Sequence, residues 1–249
     1  MKIRLDKWLG ALNLGSRKQV QELVRAGKVR ADGQTVRDPA ADCDLERDTL
    51  SLRGEAADGR IMRHVMMHKP AGVLTAARDS RQMTVMDLLP SEYRSMGCMP
   101  VGRLDKDTTG ILVFTCDGEL SHRLLSPARH VEKRYRALAS GVMDAADTEL
   151  FARGIDLGDF TALPAHLEIL RTDAESDTTL AEVTVTEGKF HQVKRMFAAA
   201  GHEVQMLHRC SFGPLELDPA LPEGAWRELT DGELKALRQA ACMEDRTEE

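Results

Sequence analysis

Two acids, Asp105 and Asp107, stand two residues apart in VGRLDKDTTGILVFT, residues 101–115, with Arg103 and Lys106 among them and a hydrophobic run behind. Three readings fit such a stretch. The D-x-D-x-T spacing of Asp105, Asp107 and Thr109 could hold a divalent cation for phosphoryl transfer. A single carboxylate could instead act as a nucleophile toward a nucleoside, splitting one hard step into easier ones. The third reading is a solvated turn at the mouth of a buried strand, with no chemistry.

Other residues of reactive type lie far away in sequence. A helical pattern over 190–200 places Phe190, Val193, Phe197 and Ala200 on one apolar stripe. Lys194 borders that stripe, where an unpaired ammonium is costly, so it needs a carboxylate and Asp105 is the candidate. The competing reading is that Lys194 reaches water along its own stem. Tyr135 alternates with Ala137 and Ala139, as a packed core tyrosine does, yet its ring is also what an extruded base would stack on. Arg103 could bind phosphate, fill a gap left in an RNA stack, or serve structure alone. Asp107 is expected to shape its turn, and His191 and His208 to make RNA or structural contacts.

The elements that must position these groups come from a chain of 249 residues, 42% hydrophobic and 30% charged, long enough for one or two domains with a real core. No stretch approaches the roughly 18 to 20 apolar residues of a membrane span, and MKIRLDKWLG has no hydrophobic signal region. The five cysteines show no CxxC pair, so neither a disulfide framework nor a zinc knuckle is expected, and a reducing cytoplasm is the plain reading. Net charge is -6, but residues 1–30 carry eight Lys/Arg against two acids. That asymmetry points to a basic contact module on an acidic body, although a charge run is also how a merely solvated face looks.

Within the basic stretch, Leu5, Trp8, Leu9 and Leu12 follow helical spacing. Gly15 ends that helix, and Ser16 caps a second one carrying Val20, Leu23 and Val24, which Gly27 closes. KVRADGQTV reads as a hairpin about Asp32-Gly33, and DTLSL as a further short strand. The stretch RLDKWLGALNLGSRKQVQELVRAGKVRADGQTV resembles an S4 RNA-binding domain over roughly the first 55 residues. The resemblance implies that Arg4, Lys7, Arg17, Lys18, Arg25, Lys28 and Arg30 hold structured RNA by its backbone.

Beyond RGEAADGRIMRH, a small polar stretch that reads as a linker, strand-like runs (HVMMH, GILVFT, RYRALAS, LAEVTVTEG, EVQML) alternate with helical patterns near 119–125, 145–153 and 190–200. The expected class is α+β, with a mostly antiparallel central sheet. The metal reading meets the wrong context here. Phosphatases of the haloacid dehalogenase type carry their first aspartate directly after a strand, whereas in this chain the strand follows the acids.

Four ordered stretches, HKPAGVLT (68–75), GRLDKDTTGILVFT (102–115), HVEKRYRAL (130–138) and EGKFHQVKRMFAAAGHEVQMLHR (187–209), resemble the S4-carrying pseudouridine synthases that modify bacterial ribosomal RNA. SHRLLSP, EKRY and HQVKRMF look most like the small-subunit (16S) branch; large-subunit relatives more often show an arginine in place of Lys194. The resemblance implies a catalytic carboxylate at Asp105, an active-site tyrosine at Tyr135, a basic partner at Lys194 and an apolar active-site position at Leu207. It also implies neither metal nor other cofactor. Ribosomal RNA is the expected partner, 16S in a small-subunit assembly intermediate, with no membrane and the chain acting as a monomer. The alternatives are a 23S-directed synthase and a non-catalytic S4-type assembly protein. The expected domains are 1–55, a linker at 56–63, a catalytic domain at 64–240 and a tail at 241–249.

Overall fold

The computed structural model describes residues 2–12, 14–44, 48–57 and 63–243, which form two compact units. The expected linker and the end of the expected tail fall largely outside those residues. The first unit runs to Arg63 and takes in a separate piece, 89–99. It contains β1 (Lys2–Arg4), α1 (Leu5–Ala11), α2 (Arg17–Arg25), β2 (Val29–Ala31), β3 (Gln34–Val36), β4 (Asp42–Asp44), β5 (Leu50–Leu52) and β6 (Glu55–Ala57). Leu5, Trp8, Leu9, Val20 and Val24 close its core against Val29, Cys43 and Leu50. Ser16 caps α2 in a full capping box with Gln19, satisfying two otherwise orphaned backbone donors. Asp32 (φ 50°) and Gly33 (φ 73°) supply the two left-handed residues that a tight hairpin between β2 and β3 demands.

The second unit is built on a nine-stranded sheet from β7 (His64–Lys69), β8 (Met99–Pro100), β9 (Thr109–Thr115), β10 (Lys133–Ser140), β11 (His166–Asp173), β12 (Thr178–Val185), β13 (Val204–Phe212), β14 (Leu215–Glu216) and β15 (Trp226–Glu228). The path is β11-β12-β10-β13-β9-β7-β15, with β14 beside β13 and β8 beside β9. Of the pairings with a described register, only β13 with β9 is parallel, so the fold is α+β with a mostly antiparallel sheet. The helices after α3 (Ser91–Ser95) are α4 (Gly118–Leu125), α5 (Ala145–Arg153), α6 (Gln192–Ala199) and α7 (Asp231–Ala240). Among the described residues no helix is long and apolar enough to cross a membrane.

The parallel junction sets up the chemistry. His208 pairs with Thr109 and Arg209 with Gly110, so the loop ending at Thr108 emerges beside the middle of β13. Gly110 has φ 110°, and a Cβ there would overlap the Arg209 backbone; only glycine permits the strands this approach. Arg209, 2% exposed, then donates its Nε and Nη2 to the Ile111 carbonyl across the junction.

Two expectations need correction. The α6 helix begins at Gln192, and Phe190 is no part of its buried stripe but 76% exposed. His191 adopts φ 50°, which turns the chain before the helix starts and throws residue 190 out of phase; the buried face is Gln192, Val193, Met196 and Phe197. Cysteine spacing also misleads: Cys43, Cys210 and Cys242 are free, but Cys98 and Cys116 are disulfide-bonded.

His64 at the start of β7 is buried, its Nδ1 in a hydrogen bond with the Thr115 hydroxyl. Burial, helped by Arg238, pushes its pKa down to about 4. The unfolded chain therefore takes up a proton below about pH 6.5 that the folded protein refuses until about pH 4, so stability falls as the pH drops through that window. The loss should reach about 3 kcal/mol. Urea unfolding at pH 7 and 4.5 should show a flatter pH dependence for His64→Gln than for wild type; equal slopes would exonerate His64.

Candidate active site

The loop between β8 and β9 carries Arg103, Leu104, Asp105 and Asp107, and it is held from beneath. Lys69, fully buried at the end of β7, donates its ammonium to the carbonyls of Pro70 (3.0 Å), Lys106 (3.2 Å) and Thr108 (2.9 Å). Burial lowers its pKa to about 8, against the opposing pull of Asp107 and Asp105. Thr75 grips Leu104 at both ends, its hydroxyl donating to the Leu104 carbonyl (2.8 Å) and accepting from the Leu104 amide (3.2 Å). The Gly72 amide donates to the Lys106 carbonyl. A carboxylate on a loop so fixed at its backbone is preorganised rather than mobile.

Asp105, Tyr135, Lys194 and Leu207 line one cleft, together with Arg103 and Thr108. Tyr135 and Leu207 rise from the same face of adjacent strands β10 and β13, where Leu207 pairs with Ala137. Both are largely buried, at 9% and 7% exposure, so they form an apolar wall of the cleft.

The electrostatics differ from the sequence expectation in one respect. Lys194 stands 3.7 Å from the Asp105 carboxylate, but its hydrogen bonds go to Asp107, at 2.6 and 2.8 Å. Asp107 is thus the direct partner of the ammonium rather than a mere turn former, and that bond lowers its carboxyl pKa. His191, at the N-terminal cap of α6, brings Nε2 to 3.4 Å from the other Asp105 oxygen. Among the described residues no side chain hydrogen-bonds Asp105. Its oxygens are flanked by positive or polar groups and remain open to an incoming reactant.

Sequence reasoning misses three features of this site. Lys69 and Thr75 lie in the HKPAGVLT stretch, but nothing in their spacing assigns them a role. Thr108 lines the cleft, and its buried hydroxyl has no hydrogen-bond partner among the described residues. The turn before α6 is the third: Gln192, 4% exposed, accepts from the Lys189 amide (3.0 Å) and donates to Glu187 (2.7 Å). His208 pairs with Thr109 (2.8 Å) at the β9–β13 junction and sits edge-on to His68. No group of three His, Cys, Asp or Glu side chains that could share a metal ion occurs among the described residues.

The basic candidates of the first unit separate into two kinds. Lys7, Arg17, Lys18, Arg25, Lys28 and Arg30 are exposed, whereas Arg4 is tied to Asp6 by two hydrogen bonds (3.1 and 2.8 Å). Arg17 and Lys18 occupy the first turn of α2, the helix end where the dipole disfavours cations. Lys28, Arg30 and Arg53 line a groove with Gly15, Gln19 and Leu23.

The profile of the family described as RNA pseudouridylate synthase matches residues 63–199, and that of the S4 domain residues 3–47. An uncharacterized RNA pseudouridine synthase of Bacillus subtilis is 44% identical over 95% of this chain and 99% of its own. The ribosomal small subunit pseudouridine synthase A of Pseudomonas aeruginosa is 38% identical over 93% of this chain and 99% of its own. The ribosomal large subunit pseudouridine synthase B of Bacillus subtilis is 33% identical over 96% of both. A crystal structure of a pseudouridylate synthase superimposes with a TM-score of 0.64 at 33% identity, covering 94% of this chain and 99% of the other.

Proposed function

The chain belongs to the RNA pseudouridylate synthase family, and from that premise we propose that it isomerises one uridine of 16S ribosomal RNA to pseudouridine. The C–N glycosidic bond breaks, the uracil turns, and a C–C bond forms through C5. The C5 proton leaves to solvent and N1 gains one, so atoms balance with no redox partner. Asp105 is the catalytic carboxylate, acting covalently. Tyr135 stacks on the extruded base, Leu207 walls the cleft, and Lys194 sets the local field from its seat on Asp107. Arg103 meets the RNA backbone.

The observation that carries the small-subunit reading is the HQVKRMF run with Lys194 at the acid site, supported by the 38% identity to a small-subunit enzyme. Similarity to a large-subunit enzyme favours a 23S target as the second reading. Deleting the gene and mapping pseudouridine across all ribosomal RNA decides between them. Loss of a single 16S site is expected; loss confined to 23S rRNA would transfer the protein to the large-subunit branch.

The S4 unit positions the RNA by neutralising its phosphates. Replacing Arg17 and Lys18 by alanine should weaken RNA binding and reduce the log–log salt slope by roughly 0.7 to 0.9 for each phosphate no longer neutralised. An unchanged slope in a salt titration would make this edge a solvated face only.

A further inference from the structure

Phe190 is the most exposed large apolar side chain among the described residues, at 76%, although it sits between Lys189 and His191, which both line the cleft. Its ring lies flat on the His191 imidazole, with centroids 3.8 Å apart and planes 18° from parallel. That imidazole in turn reaches Asp105 at 3.4 Å. The turn presenting the pair is stiff. Buried Gln192 ties it at two points, His191 is held in the left-handed region, and the Lys189 ammonium is seated 3.7 Å over the Phe160 ring. Single exposed apolar residues are common and need no explanation. This one is different, because one face of its ring is stacked on a group that contacts the acid and the other face is open to solvent.

An open aromatic face at the rim of a nucleotide site suits a nucleobase. We infer that Phe190 and His191 form a stacking ledge for the base of a nucleotide adjacent to the target uridine, holding the RNA in register while the target occupies the cleft. The inference rests on the proposed RNA substrate but not on which ribosomal RNA supplies it.

Phe190→Ala, Phe190→Leu and Phe190→Tyr, assayed on one structured 16S transcript, test the ledge. A base stack is worth roughly 5- to 150-fold in affinity. Alanine and leucine should raise KM by a factor in that range, the loss falling on KM rather than kcat, and tyrosine should restore binding. Leucine matching wild type would reduce the ring to apolar packing and overturn the inference, as would alanine with unaltered KM or a loss confined to kcat. If wild type does not modify the transcript, the proposed function fails first. Direct binding of the same transcript by wild type and Phe190→Ala then still decides the ledge: weaker binding by alanine upholds it and equal binding overturns it.

Discussion

Asp105→Asn should leave a folded protein that binds RNA like wild type while kcat falls on the order of 10⁴-fold or more, the scale of removing a covalent nucleophile. The substitution keeps size and shape and removes the charge and the attacking oxygen. Folding should survive because the loop is held through backbone groups by Lys69, Thr75 and Gly72, and among the described residues no side chain hydrogen-bonds the Asp105 carboxylate. Thermal unfolding, RNA binding and single-turnover conversion separate these outcomes. Turnover close to wild type would remove Asp105 from the chemistry and return the DKDTT stretch to a structural turn.

Lys194→Met should cost about 10²- to 10³-fold in kcat, the scale of losing one preorganised electrostatic group. Two carboxylates of one loop would then lack their common cation, since Lys194 hydrogen-bonds Asp107 at 2.6 and 2.8 Å and stands 3.7 Å from Asp105. Asp107→Asn gives the contrast. It leaves the ammonium in place beside Asp105, so its effect should be much smaller, within about tenfold in the same assay. Wild-type kcat in Lys194→Met would make the lysine part of a surface pair with Asp107 and nothing more.

What the sequence shows of this site depends on how local each signal is. The Asp32-Gly33 hairpin and the Ser16 capping box are set by a few adjacent residues and appear where expected. The helix at 192–199 is legible from its apolar spacing, but its first turn is not. One left-handed residue, His191, shifts the start and exposes Phe190, and nothing in the local pattern marks a histidine for that conformation. Lys194 visibly needs an acid, yet two acids two residues apart satisfy the sequence equally, and only tertiary placement selects Asp107 for the hydrogen bonds. Lys69 is harder still. A lysine before proline at a strand end reads as exposed, and its burial depends on carbonyls at positions 106 and 108. The cleft itself is legible only through the order of four motifs, because the parallel β9–β13 pairing that joins Asp105 to Leu207 spans about a hundred residues and leaves no local trace. The helix Asp231–Ala240 escapes the sequence reading even though its Thr230–Glu233 capping box is written in the residues.

The central claim is that Asp105 in this cleft converts uridine to pseudouridine in ribosomal RNA, and the released C5 proton reports it directly. A 16S transcript labelled with tritium at C5 of its uridines, incubated with purified protein, should release one tritium per transcript with wild type and none with Asp105→Asn, while both bind it. No release by wild type from 16S or 23S transcripts that it demonstrably binds would contradict the account and leave an S4-type RNA-binding protein without this activity.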